Sequence, residues 1–206
     1  MLYKILRYTV APIVKVLFLV KMKNRKNIPK RDGAVLAMNH TVYFDPVFLS
    51  LVTHRNIFFI ANSKLFKPPE IIRFVLRGTS CLPSECGRFN SEEILDKCVK
   101  RVKEGDLFGI FPEGIAKGEE KILKGYTGVA ELALKAHAPI IPIAIINAHG
   151  TFPPRSLIPR KLKKITVNVG SPMYFEQYHG KHKDKKITRE ITDKVMEEIK
   201  KLYEEK

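Results

Sequence analysis

The sequence predicts an α/β fold, an αβ sandwich with a mostly parallel central sheet. From residue 30 onward, short runs of β-branched and aromatic residues alternate with longer segments of helical pattern, which is the order of elements found in α/β domains. The runs are apolar at consecutive positions, as expected for parallel strands that are buried on both faces. With 206 residues, 45% of them hydrophobic, the chain can bury one sizeable core.

Five runs are predicted to be strands and five segments to be helices. The strands are expected at 34–39, 56–62, 106–111, 139–146 and 164–169. The helices are expected at 46–54, 69–77, 91–104, 126–137 and 188–204. Asn90 is the expected N-cap of the third helix, because Glu93 follows it three residues later.

The N-terminal segment is apolar but carries three cations, Lys4, Arg7 and Lys15. These leave no uninterrupted apolar stretch long enough to span a bilayer comfortably. At about 100° per residue the cations fall on one side of a helix, which is typical of an amphipathic helix at a membrane surface. A core helix of a soluble domain is the alternative. We expect an N-terminal membrane-interface helix over residues 1–28 and one domain over residues 29–206.

The formal net charge of +16 indicates an anionic partner. Nucleic acid, phospholipid headgroups and an acidic carrier protein all satisfy that requirement. The sequence has no helix-turn-helix, zinc or RNP-like signature, so no nucleic-acid partner is expected. Its three cysteines form neither a CxxC pair nor a disulfide framework.

The segment from Asn39 to Pro46, NHTVYFDP, holds the main candidates for catalysis. It follows a predicted strand and opens a predicted helix, with Asp45 expected as the helix N-cap and Pro46 as the first helical residue. His40 would then end the strand. Joined by a short loop, the two side chains can come within hydrogen-bond reach at the carboxyl edge of the sheet, where ligands bind in open α/β folds.

A His–Asp pair at that edge suits the activation of an alcohol. A neutral imidazole can take the proton of a hydroxyl group as the oxygen attacks a thioester carbonyl. Asp45 would orient the His40 ring and stabilise the imidazolium. The alternative is a surface histidine beside a capping aspartate, since this spacing also occurs by chance.

A second polar block, Phe111-Pro112-Glu113-Gly114, follows the third predicted strand. Gly114 would allow the backbone to approach a ligand closely, and Glu113 can orient substrate hydroxyls or a basic neighbour. Lys121 and Lys124 follow the block and can neutralise a phosphate group. An ordinary turn and a solvated loop are the alternatives.

The two blocks together resemble those of the glycerolipid acyltransferases typified by 1-acylglycerol-3-phosphate acyltransferase, which carry NHxxxxD and FPEG. The resemblance covers roughly residues 30–170 and includes the apolar strand with Pro142. It implies that residues 29–206 are an acyltransferase domain. Such a domain would transfer a fatty acyl group from acyl-CoA or acyl-carrier protein to the free hydroxyl of lysophosphatidic acid or a related lysophospholipid. It also implies a place at the cytoplasmic face of the cell membrane, on an anionic surface, and no metal or other cofactor.

The resemblance assigns His40 and Asp45 to catalysis and Asn39, Glu113 and Gly114 to substrate binding. Two positions depart from the pattern. Family members often have an arginine where this chain has Ala116, and another where it has Ser84. Lys117 and Arg88 are the nearest cations and are candidates for those roles.

A peripheral lipid-binding protein without catalytic activity is a second hypothesis. The basic surface and the N-terminal helix alone would support it, and the two departures are compatible with it. The presence of both His40 and Asp45 favours the enzyme, because neither is needed to bind lipid.

Overall fold

The computed structural model describes most of the chain, and residues 61–62 and 81–84 are described by their backbone alone. The described ranges are 12–42, 44–62, 81–84, 89, 91–114, 121–151, 159–162 and 164–205. The predicted helix at 69–77 lies outside them.

Seven strands of the described chain form one sheet, in the order β1-β7-β6-β2-β5-β3-β4. All neighbouring strands are parallel except β6 and β7, which are antiparallel. The predicted mostly parallel sheet and its five predicted strands are confirmed, and two strands at the sheet's edges, β1 and β4, were not predicted. The strands are β1 Lys21–Lys23, β2 Ala34–Met38, β3 Ile57–Asn62, β4 Cys81–Ser84, β5 Leu107–Ile110, β6 Ile140–Ile146 and β7 Thr166–Val169.

Strand direction brings distant segments to one edge of the sheet. Because β2, β5 and β6 are parallel, their carboxyl ends meet at the same edge, which we call the carboxyl edge. Strand β7 runs the opposite way, with Thr166 beside Ile146, and β1 is parallel to β7. The beginnings of β1 and β7 therefore lie at the carboxyl edge too.

Helices cover both faces of the sheet. They are α1 at residues 12–17, whose beginning lies outside the described residues, α2 Asp45–Ser50, α3 Glu92–Lys103, α4 Gly128–Ala136 and α5 Lys185–Glu204. Helix α3 is capped by the Ser91 side chain, which accepts the N–H of Ile94, so the predicted Asn90 cap was wrong. Helix α5 begins three residues earlier than predicted, because the Asp184 side chain accepts the N–H groups of Lys186 and Ile187.

Alternate strand residues divide the core between the two faces. Leu36 and Met38 of β2 pack with Phe48 of α2 and with Phe18. Val35 and Ala37 point to the other face and pack with residues of α3, α4 and α5. The strands are buried on both sides, as their continuous apolar runs predicted.

The N-terminal segment joins the sheet directly. Val14 and Phe18 are buried in the core, Lys15 is exposed, and β1 begins at Lys21. In the described part of the chain, no helix is long and apolar enough to cross a bilayer. Lys4 and Arg7 lie outside the described residues. The predicted helix over residues 1–28 was wrong beyond residue 17, where α1 ends before β1, and its contact with a membrane remains a prediction.

Candidate active site

The loop between β2 and α2 is folded around the carboxylate of Asp45. One carboxylate oxygen, Oδ2, accepts the backbone N–H groups of Thr41 at 2.7 Å and Val42 at 2.9 Å. Asp45 is the first residue of α2, and Phe44 is the N-cap residue. The predicted N-cap role of Asp45 was wrong, because its side chain turns back into the loop instead of toward the first turn of the helix.

The same oxygen of Asp45 lies 3.0 Å from Nδ1 of His40. Asp45 is fully buried, whereas 14% of the His40 side chain is exposed. With the carboxylate accepting a hydrogen bond from Nδ1, the neutral ring has its lone pair on Nε2. Within the described part of the chain no group is hydrogen-bonded to Nε2. This arrangement leaves a basic nitrogen at the carboxyl edge of the sheet.

Two phenylalanine rings support the imidazole. The His40 ring stacks on Phe111 with 4.1 Å between ring centroids, and Phe111 stacks on Phe59 at 6.2 Å. Gly109 leaves room for the Phe59 ring, since a Cβ atom on Gly109 would overlap with that ring. The orientation of His40 therefore depends on packing that extends into β5 and β3. Sequence reasoning did not assign this role to Phe111, although it is the first residue of the FPEG block.

Glu113 joins the loop between β2 and α2, which holds His40, to the segment that carries Lys121 and Lys124. Its Oε1 accepts the backbone N–H of His40 at 2.9 Å, and its Oε2 accepts the backbone N–H of Leu123 at 2.9 Å. Gly114 completes the turn with a φ of 81°, where its N–H bonds to the carbonyl of Phe111. Desolvation by burial raises the pKa of Glu113, and the two backbone N–H groups partly oppose that shift.

Asn39 continues the sheet past its last backbone pair. Its side-chain carbonyl accepts the N–H of Ile145 at 2.7 Å, and its amide donates to the carbonyl of Ile145 at 3.0 Å. The side chain is fully buried, so these two bonds hold the end of β2 against β6. Because His40 is the next residue, these bonds also hold its backbone in place.

The other predicted substrate-binding residues with charged side chains are either exposed or outside the described residues. Lys121 and Lys124 are exposed on either side of Leu123. Arg88 and Lys117 lie outside the described residues. The structure thus brings together His40, Asp45, Asn39 and Glu113, and places two lysines on the segment that Glu113 holds.

A histidine whose Nε2 is available beside a buried carboxylate, at the carboxyl edge of an αβ sandwich, is an arrangement typical of group-transfer enzymes that activate a hydroxyl group. Residues 19–146 match the sequence model of the acyltransferase family, so the chain belongs to that family. The resemblance indicated by the NHxxxxD and FPEG blocks is therefore confirmed.

Individual relatives agree with this assignment. The chain is 26% identical over 182 residues to the 1-acyl-sn-glycerol-3-phosphate acyltransferase of Bacillus subtilis, a match that covers 86% of this chain and 87% of that protein. It is 23% identical over 184 residues to the corresponding protein of Borreliella burgdorferi, covering 84% of this chain and 69% of that one. The crystal structure of the 1-acyl-sn-glycerophosphate acyltransferase PlsC from Thermotoga maritima has the same fold. Its TM-score is 0.68 at 20% identity, covering 94% of this chain and 81% of that one.

Proposed function

We propose that the protein transfers a fatty acyl group from a thioester donor to the free hydroxyl of lysophosphatidic acid or a closely related lysophospholipid. The observation that carries this proposal is the 3.0 Å contact between His40 Nδ1 and Asp45 Oδ2, which leaves Nε2 available as a base. The donor is acyl-CoA or acyl-carrier protein, both of which present a thioester. The names of the B. subtilis and B. burgdorferi relatives support the acceptor class.

His40 acts first as a base and then as an acid. Its Nε2 takes the proton of the acceptor hydroxyl while that oxygen bonds to the thioester carbonyl carbon. The tetrahedral intermediate collapses with loss of the thiolate, and the imidazolium returns the proton to sulfur. The products are a diacyl lipid and a free thiol. The buried carboxylate of Asp45 stabilises the imidazolium throughout.

The other predicted residues have supporting roles in this proposal. Glu113 and Asn39 are positioning residues, because their polar atoms are occupied by backbone groups of the site. Lys121 and Lys124 bind the acceptor's phosphate, with Lys117 and Arg88 as further candidates, and Gly114 shapes the turn beside them.

The enzyme works at a membrane surface in this proposal. The part of the N-terminal segment that precedes β1 rests on the anionic cytoplasmic face through Lys4, Arg7 and Lys15, and the acyltransferase domain includes β1 as well as residues 29–206. The large positive net charge of the chain supports an anionic surface.

Thiol release from acyl-CoA or acyl-carrier protein, measured with and without lysophosphatidic acid, tests the proposal. Release should require the lysolipid, and mass spectrometry should show the diacyl product. His40→Ala should abolish release, whereas His54→Ala, which removes an exposed histidine before β3, should leave it unchanged. Activity that survives His40→Ala at an unchanged unfolding temperature would contradict the mechanism. Lipid binding without turnover across a broad set of donors and acceptors would instead support the non-catalytic alternative.

A further inference from the structure

The segment that follows the FPEG block contains the two lysines assigned above to the acceptor's phosphate. We call residues 121–126 the lysine segment. The Glu113 side chain accepts the N–H of Leu123 at 2.9 Å, and the carbonyl of Pro112 accepts the N–H of Tyr126 at 2.8 Å. The FPEG block therefore holds two backbone groups of the lysine segment. Further contacts, with α5, hold the same segment from a distant part of the chain.

Arg189 of α5 is bonded to the backbone of the lysine segment. Its Nη1 donates to the carbonyl of Gly125 at 2.7 Å. Its Nε and Nη2 donate to the two carboxylate oxygens of Asp193, at 3.0 Å and 2.6 Å. Because a guanidinium group is planar, two parallel bonds to one carboxylate also fix the direction of its remaining donors. Asp193 thus orients Arg189 toward the carbonyl of Gly125.

Side-chain packing brings α5 against the same segment. Gly125 is buried, and a Cβ atom on it would lie 2.9 Å from Cγ and Sδ of Met196 and 3.0 Å from Cβ of Pro112. Ile122 packs against a cluster that includes Leu202, near the end of α5. The missing side chain of Gly125 therefore lets the lysine segment lie in close contact with both α5 and the FPEG block.

Helix α5 is itself anchored in the core. Ile191, Val195 and Ile199 are spaced four residues apart, so they share one face of the helix, and all three are buried. They belong to the core cluster that contains Val35 of β2. Through Arg189, the lysine segment is consequently attached to the core of the protein as well as to the FPEG block.

This attachment bears on the acceptor because of what the lysine segment presents. Lys121 and Lys124 are exposed, whereas the backbone is held at Leu123, Gly125 and Tyr126. A lysine side chain loses rotamer freedom when it binds a phosphate, and a backbone that is already fixed adds no second entropy cost. Loss of the bond at Gly125 should thus weaken phosphate binding more than it affects proton transfer.

Membership of the acyltransferase family does not account for the contact with α5. The family model matches residues 19–146, whereas α5 begins at Lys185. The bond between Arg189 and Gly125 joins residues that are 64 positions apart in the chain, one on each side of residue 146.

We propose that Arg189, oriented by Asp193, is a positioning residue that sets the affinity of the protein for the phosphate of its acceptor. It does so by holding the lysine segment, and each of its three nitrogens already donates to a protein oxygen. The inference rests on the proposed function, because that function assigns Lys121 and Lys124 to the phosphate.

Kinetics with two acceptors test the role of Arg189. Arg189→Gln should raise the KM of lysophosphatidic acid roughly tenfold. It should change kcat by less than about twofold, because the contacts of His40 are retained. The KM of a monoacylglycerol, which has no phosphate, should stay the same. Arg189→Lys should give an intermediate KM, since an ammonium group cannot reproduce the fork that bonds to Asp193 and Gly125 together.

Lys194→Gln is the matched control on the same helix. It removes the same charge from an exposed ion pair with Glu190, in which Nζ lies 2.8 Å from the carboxylate. Its kinetics should equal those of the wild type. A KM for lysophosphatidic acid that rises equally in Lys194→Gln and Arg189→Gln would overturn the proposal, because it would show a response to net charge alone.

A double-mutant cycle separates support of the lysines from direct contact with the acceptor. Because Arg189 acts through Lys121 and Lys124, Arg189→Gln should have almost no further effect on KM once both lysines are replaced by glutamine. The same tenfold rise in that background would overturn the proposal, since Arg189 would then act on the acceptor independently of the lysines.

Hydrogen exchange of backbone amides tests the support apart from catalysis. In Arg189→Gln the amides of Leu123 and Tyr126 should exchange roughly tenfold faster, while those of β2 and β6 keep their wild-type rates. Unchanged exchange at Leu123 and Tyr126 would overturn the proposal, as would equally faster exchange throughout the protein. Faster exchange at these two amides alone, beside absence of turnover with every acceptor, would count against the proposed function and leave the support by Arg189 intact.

Discussion

Glu113 accepts the backbone N–H of His40 at 2.9 Å, although 73 residues separate the two in the chain. The register of the sheet accounts for this contact. Ala37 of β2 pairs with Ile110 of β5, and His40 and Glu113 each follow their strand residue by three positions. The NHxxxxD and FPEG blocks are thus neighbours because their strands are neighbours, and the glutamate of one holds the backbone of the other.

Glu113→Gln should lower kcat while the protein remains folded. A glutamine side chain offers one acceptor oxygen, so either the N–H of His40 or that of Leu123 loses its partner, at a cost of about 1–3 kcal/mol. Misplacement of the base by a fraction of an ångström should reduce kcat by roughly tenfold to a hundredfold. The KM of the acceptor should rise too, because Leu123 lies between Lys121 and Lys124. Steady-state kinetics and thermal unfolding measured together check this, and an unfolding loss with unaltered kcat would show a purely structural role.

The raised pKa of Glu113 predicts the pH dependence of that variant's stability. Because the folded-state pKa lies above the ordinary value near 4.5, the folded state binds this proton more tightly than the unfolded state. The contribution of Glu113 to the free energy of unfolding is therefore largest below the ordinary pKa and decreases as the pH rises through the folded-state pKa. Urea denaturation should show the stability difference between wild type and Glu113→Gln shrinking over that window. A difference that grows with pH would mean that the two N–H groups outweigh desolvation.

The local sequence was sufficient to predict that His40 and Asp45 form a pair. It was not sufficient to predict which backbone groups the Asp45 carboxylate binds. A buried apolar run before His40 and an Asp-Pro pair after the loop specify a strand end and a helix start, which confines both side chains to one edge. The same Asp-Pro pattern is found at N-caps, so nothing in the local pattern indicates that Asp45 bonds to the N–H groups of Thr41 and Val42. The difference depends on the path of the loop, which the core on that face of the sheet determines.

Contacts between distant segments could not be predicted from local hydrophobic patterns. The bond from His40 to Glu113 requires β5 to lie beside β2, and strand order is not encoded in any one run of residues. The edge strands were missed for a related reason. Strand β1 is the three-residue KMK and β4 contains Pro83, and short, charged or proline-containing strands at sheet edges lack the apolar signal of central ones.

Asp45→Asn should retain the loop and lose most of the activity. All three hydrogen bonds of the Asp45 side chain fall on Oδ2, and the buried Oδ1 has no hydrogen-bond partner among the described residues. An asparagine carbonyl oxygen at the Oδ2 position can accept the same three bonds, so the fold should survive. The negative charge that stabilises the imidazolium is lost, and kcat should fall by about 10²–10⁴. Circular dichroism checks that the fold is retained, and steady-state kinetics check the loss of kcat.

Asp45→Ala is the informative companion to that variant. It removes the acceptor for the N–H groups of Thr41 and Val42, so it should lower the unfolding temperature as well as kcat. Equal stability of the two variants would show that the loop does not depend on those bonds.

Gly109→Ala should reduce activity through the rings that support His40. The added methyl group overlaps with the Phe59 ring, which must move, and Phe59 stacks on Phe111 against the imidazole. We expect a roughly tenfold to hundredfold loss of kcat with a small change in KM. Gly33→Ala is a matched control before β2, where the methyl group would overlap with the backbone carbonyl of Val102. Gly33→Ala should lose stability and keep normal kcat per folded molecule. A loss of kcat in Gly33→Ala with normal kcat in Gly109→Ala would contradict the proposed support of His40.

Lys121→Gln and Lys124→Gln should each raise the KM of lysophosphatidic acid by about fivefold, equivalent to roughly 1 kcal/mol for an exposed ion pair. Both lysines are exposed in the structure and lie beside Leu123, whose N–H is held by Glu113. Since only the phosphate of the acceptor is recognised, neither variant should change the KM of a monoacylglycerol. Lys97→Gln with Lys100→Gln, which removes two exposed charges from α3, controls for net charge. If both acceptors respond equally to the loss of Lys121 and Lys124, these lysines shape the loop and leave the phosphate to other residues.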